Sequence, residues 1–260
     1  MNPPKLLQGF ASLLVIAGVI VQTDGAHAEE LRATPYRPTV SSPADLPAPG
    51  FLEVEFGGAR TRDRSDQTRT TSLPTLFKFA INEDVGVLLG GDAHIAQRDA
   101  NGTTLRGAGD SIAALKLRRE VTSKSAVGVE LGARFATART GLGQPGTDYT
   151  GTGVYSVEFG DYNIDLNVGG THVGRINPGE GRYRINGALA LGAPIAGPFR
   201  LAVEVSGAAR RGTTGSGQAL AAVTWEVHRK LILDVGFARG LDRSKAETVF
   251  VGLTWLIAPK

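Results

Sequence analysis

The chain has 260 residues, 35 glycines, no cysteine and a formal net charge of +3. Without cysteine, no disulfide and no thiolate metal site can form. Acids and bases are interspersed rather than clustered, which argues against the basic footprint of a nucleic-acid-binding protein. The length accommodates two modest domains or one large β domain.

Lys5 precedes an apolar run at 10–21 that contains Leu13-Leu14-Val15-Ile16-Ala17, and Ala26-His27-Ala28 follows as a small-x-small cleavage site. This is the pattern of a secretory signal peptide over residues 1–28, with a mature chain from near Glu29. The alternative is an uncleaved anchor. The run is too short for a spanning helix, and no later run is long enough. A mature chain that enters a membrane therefore does so as a barrel.

Residues 29–50 carry Pro35, Pro38, Pro43, Pro47 and Pro49, a density that forbids helix or central strand. Three readings are open: a periplasmic arm, a segment plugging a barrel mouth, or a solvated linker.

From residue 51 onward, apolar and polar residues alternate with period two, the signature of strands with two different faces. Strands are expected at 51–59, 71–81, 85–97, 110–120, 125–137 and 153–160. Six more follow at 162–171, 182–191, 199–209, 218–228, 231–238 and Glu247–Ile257. The connections alternate as well: those after odd strands are long and rich in Gly, Asn and Pro, and those after even strands are short turns such as Gly160-Asp161. Outer-membrane barrels have an even strand number, long outward loops and short periplasmic turns. A soluble sandwich would not sort its connections by parity across the whole chain. The expected fold is all-β: a transmembrane antiparallel up-and-down β-barrel of about twelve strands over residues 51–260, in the outer membrane of a Gram-negative cell. The last strand, with Val249, Val251, Leu253, Trp255 and Ile257 on one face, is expected to close on 51–59. That pairing sets Glu53 and Glu55 beside Thr254 and Gly252.

The alternation sends charges to the inner face, because a central Arg or Lys facing lipid costs about 2–4 kcal/mol. The lumen-lining candidates are Glu53, Glu55, Lys78, Asp92, His94, Lys116, Arg118, Glu130, Arg134, Glu158, Asp165, Arg182, Arg184, Glu204, Glu226 and Asp234. Either they line a polar pore for a solute, or they pair into a plug of side chains. Trp225, Trp255, Tyr155, Tyr183, Phe77 and Phe159 fall on the outer face, as interfacial aromatics or as lipid-facing filling. His94, His172 and His228 show no metal-ligand spacing, and no GxSxG occurs. Neither catalysis nor a cofactor is expected. The expected partners are outer-membrane lipid and a small solute, with no nucleic acid; the oligomeric state is open.

The stretches Arg37-Pro38-Thr39-Val40-Ser41-Ser42-Pro43 and Leu46-Pro47-Ala48-Pro49-Gly50-Phe51-Leu52-Glu53-Val54-Glu55 resemble the mature start of the "MetA-pathway of phenol degradation" family. Leu73-Pro74-Thr75-Leu76-Phe77-Lys78-Phe79, Gly160-Asp161-Tyr162-Asn163-Ile164-Asp165-Leu166-Asn167, Leu233-Asp234-Val235-Gly236-Phe237-Ala238-Arg239-Gly240-Leu241 and Val251-Gly252-Leu253-Thr254-Trp255 are similar to later stretches in the same order. Together they span most of the mature chain. Members commonly end at an aromatic residue just after the closing segment, whereas this chain continues Leu256-Ile257-Ala258-Pro259-Lys260. The resemblance implies an outer-membrane, transporter-like barrel serving as a passive channel for small solutes, aromatic or hydrophobic ones among them. It carries over no catalytic residues. The alternative function is a closed structural or interaction barrel acting through its outer loops.

Overall fold

The computed structural model describes residues 31–257. The expected signal peptide and its cleavage site lie outside the described residues, as does the tail at 258–260. Thirteen strands are present: β1 (Leu52–Arg62), β2 (Arg69–Ala80), β3 (Val85–Arg98), β4 (Thr104–Gly107), β5 (Ser111–Thr122), β6 (Ser125–Phe135), β7 (Asp148–Phe159), β8 (Tyr162–His172), β9 (Tyr183–Ala196), β10 (Phe199–Arg210), β11 (Ser216–His228), β12 (Leu231–Gly240) and β13 (Glu247–Ile257). β4 is a short addition to the outer end of β3. The other twelve form a closed antiparallel ring in which neighbours in sequence are neighbours in space, and β1 pairs with both β2 and β13. Closure leaves no unpaired edge, a condition for backbone exposed to lipid.

Each strand of the ring turns an apolar residue outward. Phe56, Phe77, Leu89, Leu115, Leu131 and Tyr155 are exposed, as are Val168, Leu189, Val205, Trp225, Val235 and Val251, one from each strand in turn. A continuous apolar girdle of this extent is not sustainable in water; it is the surface a bilayer covers. The inward faces are mostly buried and polar or small, with Leu220, Ala222, Ala238 and Phe250 forming one local apolar cluster.

The short turns fall at one end and the long loops at the other. In the β7–β8 turn, Phe159 pairs with Tyr162, and Gly160 takes φ 58°, as the first central residue of a type II′ turn requires. The loop between β3 and β5 is more structured than its composition suggests, because β4 folds back on Ile95–Arg98.

Two readings of register need correction. β13 does close on β1, but Glu53 lies opposite Leu256 and Glu55 opposite Thr254. The pairing is shifted by two residues from the expected one, because β13 continues to Ile257, which pairs with Leu52. A shift of two preserves which face points inward. The second correction concerns β3. Ser72 pairs with Ile95 whereas Pro74 pairs with Asp92, so an extra residue is inserted at Ala93–His94 opposite Leu73. Such a bulge reverses the alternation beyond it. Ile95 is therefore buried on the inner side, while His94 is exposed with Ala93 and does not join the lumenal charges. His228 is likewise exposed, next to an irregularity in the β11–β12 pairing.

Candidate functional site in the lumen

Residues 31–50 lie inside the ring, against inward side chains of strands all around it. The prolines explain why this segment adds no strand: they remove N–H donors and hold the backbone extended. The remaining polar backbone groups still need partners once water is excluded, and lumenal side chains supply them. The N–H groups of Thr34 and Tyr36 donate to Glu53 Oε2 (2.7 Å) and Glu55 Oε1 (2.6 Å) on β1. Those of Ser41, Ser42 and Ala44 donate to Glu204 (2.7 Å), Asn167 (2.8 Å) and Ser156 (2.8 Å) on β10, β8 and β7. In the opposite sense, Lys78 Nζ donates to the Thr34 carbonyl (2.6 Å), Lys116 Nζ to that of Pro43 (2.5 Å) and Asn167 Nδ2 to that of Ser42 (2.9 Å).

Tyr36 is the centre of this network. Two fully buried ammonium groups lie over its ring, Lys78 Nζ at 3.8 Å and Lys116 Nζ at 4.0 Å from the ring centroid. The ring's negative π-cloud stabilises both cations. Lys78 is also paired with Glu53 (2.6 Å) and Glu55 (2.5 Å), and Lys116 lies 4.0 Å from Glu130. Three further ion pairs bind the arm to the wall. Arg37 forks onto Asp234 on β12 (3.1 and 3.0 Å) and reaches the Val251 carbonyl (3.2 Å). Asp45 accepts from Arg118 on β5 (2.8 Å), and Arg32 lies 3.3 Å from Glu226 on β11. Bidentate arginine–carboxylate pairing fixes orientation as well as position.

Glycines make room for the Arg37 fork. A Cβ at Gly57 would stand 2.7 Å from its guanidinium carbon, and one at Gly252 would overlap the guanidinium outright.

The sequence-derived lumenal residues thus separate into groups. Glu53, Glu55, Lys78, Lys116, Arg118, Glu204, Glu226 and Asp234 contact the arm directly. Glu130 stands behind Lys116. Asp165 is reached through Ser156, which donates to it (2.5 Å). Asp92 faces inward opposite Pro74 and is half-buried, while Glu158 is exposed near the β7–β8 turn. Arg134, Arg182 and Arg184 lie at the long-loop end, away from the arm, and Arg182 precedes β9 rather than belonging to it. His172 also lies at that end, its ring edge-on to Tyr183 at 5.6 Å. Reading charges alone misses Tyr36, Ser41, Ser156 and Asn167. Ser156 and Asn167 carry the inward parity of their strands, a signal available in the sequence; nothing local marks the arm residues.

No protein-family model matches this sequence, and no curated protein matches it. Solved structures do resemble it in fold. The COG4313 outer membrane channel from Pseudomonas putida F1 superposes with a TM-score of 0.64 at 11% identity, over 90% of this chain and 100% of that one. The NanC porin gives 0.57 at 9% identity, over 78% and 98%. The KdgM porin, in complex with disordered oligogalacturonate, gives 0.53 at 7%, over 79% and 99%. At these identities the likeness is one of fold: a closed outer-membrane barrel.

Proposed function

We propose that the protein is an outer-membrane channel for small solutes whose lumen is closed by its own N-terminal arm. The observation that carries this reading is the arm's seat: residues 31–50 are anchored to β1, β2, β5, β7, β8, β10, β11 and β12 by inward polar side chains. Buried charges are costly unless paired. A barrel built only for rigidity meets that requirement more simply with apolar filling. A polar wall closed by a Pro-rich segment is instead one that stays wetted when the segment leaves. The reading is non-enzymatic. Membership of the phenol-degradation pathway family, and aromatic or hydrophobic solutes as cargo, belong to it through the resemblance of the arm and strand motifs. The resemblance in fold to solved channels and porins supports its coarser part.

The filled lumen also favours a second reading, a closed barrel acting through its outer loops. Conductance in planar bilayers separates the two. The intact chain is expected to give small or rare steps, and a Tyr36→Ala/Arg37→Ala variant larger ones. If the folded variant gives no steps, the channel reading fails and the second stands.

A further inference from the structure

The long-loop mouth holds a cavity of about 430 Å³ between the ends of β6, β7, β9, β10 and β11 and the loops that join β6 to β7, β8 to β9 and β10 to β11. This is the size of a small-molecule site. Four arginines line it, Arg134, Arg175, Arg184 and Arg210, against two carboxylates, Asp148 and Glu180. Both carboxylates are already engaged. Asp148 takes Arg134 Nη2 at 3.0 Å and the Gly174 N–H at 2.9 Å. Glu180 takes Arg210 Nη2 at 2.8 Å and both the N–H and Nδ2 of Asn177 at 3.1 Å. Arg134 is also held by Asp110 and by the carbonyls of Gln144 and Gly146.

Arg175 and Arg184 are exposed, and neither has a carboxylate partner among the described residues; of the two, Arg184 is the one on a strand. It pairs in register with Arg210 on one side and Thr171 on the other. Thr171 is buried and shares a hydrogen bond with Thr150 (3.0 Å). Like charges directly opposite each other on neighbouring strands destabilise a sheet, so the Arg184–Arg210 pair, in a cavity lined also by hydroxyls, is electrostatically complementary to an anion. The guanidinium fork matches a carboxylate in two hydrogen bonds.

We propose that this vestibule binds one small organic carboxylate, gripped by Arg184 with Arg210 beside it. The inference rests on the channel reading only for what becomes of the bound anion: the site stands at the mouth through which a solute would enter.

The test is calorimetric titration of the folded full chain in detergent micelles with benzoate, its uncharged isostere benzamide, and inorganic phosphate, each variant checked for heat-modifiable mobility. Benzoate is expected to bind and benzamide not to. Arg184→Gln is expected to weaken benzoate about tenfold, the order of one charge-assisted contact, with Arg184→Lys between the two. Glu180→Gln, which frees Arg210, is expected to tighten it. Equal binding of benzoate and benzamide overturns the proposal, as does an unaffected Arg184→Gln variant. Phosphate binding as tightly as benzoate overturns the carboxylate assignment in favour of any oxyanion. The channel reading fails separately: a barrel that binds benzoate but never conducts keeps the site and loses the channel.

Discussion

Arg37 shows how single residues hold the arm in place. Its fork satisfies Asp234, whose side chain is 3% exposed, and it fits only because positions 57 and 252 carry no side chain. Arg37→Ala leaves a buried carboxylate without its partner, which costs about 3 kcal/mol or more in such a setting. Gly252→Ala acts from the opposite side, since the new methyl occupies the space of the guanidinium. Both variants are expected to keep the barrel folded while releasing the arm. Chymotrypsin cleavage at Tyr36, which is 6% exposed in the intact protein, measures the release. A Gly252→Ala chain as resistant as the parent would show that the arm is not seated through Arg37.

Asp110, immediately before β5, organises the β6–β7 loop by the same logic of a satisfied charge. Burial pushes its carboxyl up, but the N–H groups of Gln144 and Ala138 and the Arg134 guanidinium outweigh this and hold it below the usual carboxylate range. A depressed folded value means that the stabilisation is present above the unfolded carboxylate value and is lost as pH falls through the folded one. The loop at 136–147 is therefore expected to stay protected from hydrogen exchange at pH values where ordinary carboxylates are half-protonated, and to loosen only below them. Asp110→Asn is expected to remove the protection at every pH.

At the scale of elements, the bulge in β3 decides which residues face the lumen. Ile95 is 8% exposed and pairs with Ser72 and Gly107, whereas His94 lies on the exposed side. Ile95→Ala is expected to cost about 2–4 kcal/mol in urea unfolding from lipid vesicles, and His94→Ala within about 0.5 kcal/mol. The reverse order would place the bulge elsewhere. The same strand shows why the sequence reading stopped short. Gly90-Gly91-Asp92-Ala93-His94-Ile95 continues a plausible alternation through the insertion, and only the hydrogen-bonding partner across the ladder reveals the extra residue. The two-residue shift between β1 and β13 has a similar origin. Both registers put Glu53 and Glu55 inside, and the face pattern has period two, so it cannot choose between them.

At the scale of the whole molecule, the outward girdle and the inward charges divide the barrel into a lipid side and a lumen side. Val129, exposed on β6 near the middle of its strand, is expected to be intolerant of charge. Val129→Arg should lower folding stability in vesicles by about 2–4 kcal/mol. A conservative lumenal change at the unpaired Arg184 should leave stability nearly unchanged. An equal tolerance at both positions would contradict the assignment of outer and inner faces.

The amino-acid sequence by itself determined the twelve strands of the ring, their direction, loop parity and the face each turns to lipid, except in β3 beyond its bulge. These follow from period-two alternation and turn composition, both local along the chain. It also placed the eight charged wall residues that hold the arm on the inner face, because a charge within an apolar alternation has only one side to occupy. Tertiary structure alone decided where residues 31–50 go. Their prolines exclude regular structure but specify no partner, and Tyr36 meets Lys78 and Lys116 because only β3 separates β2 from β5 and the arm runs inside the ring beside both. The unmatched Arg184 is visible for the same reason: which charge neutralises which depends on contacts between strands and loops that are far apart in the chain.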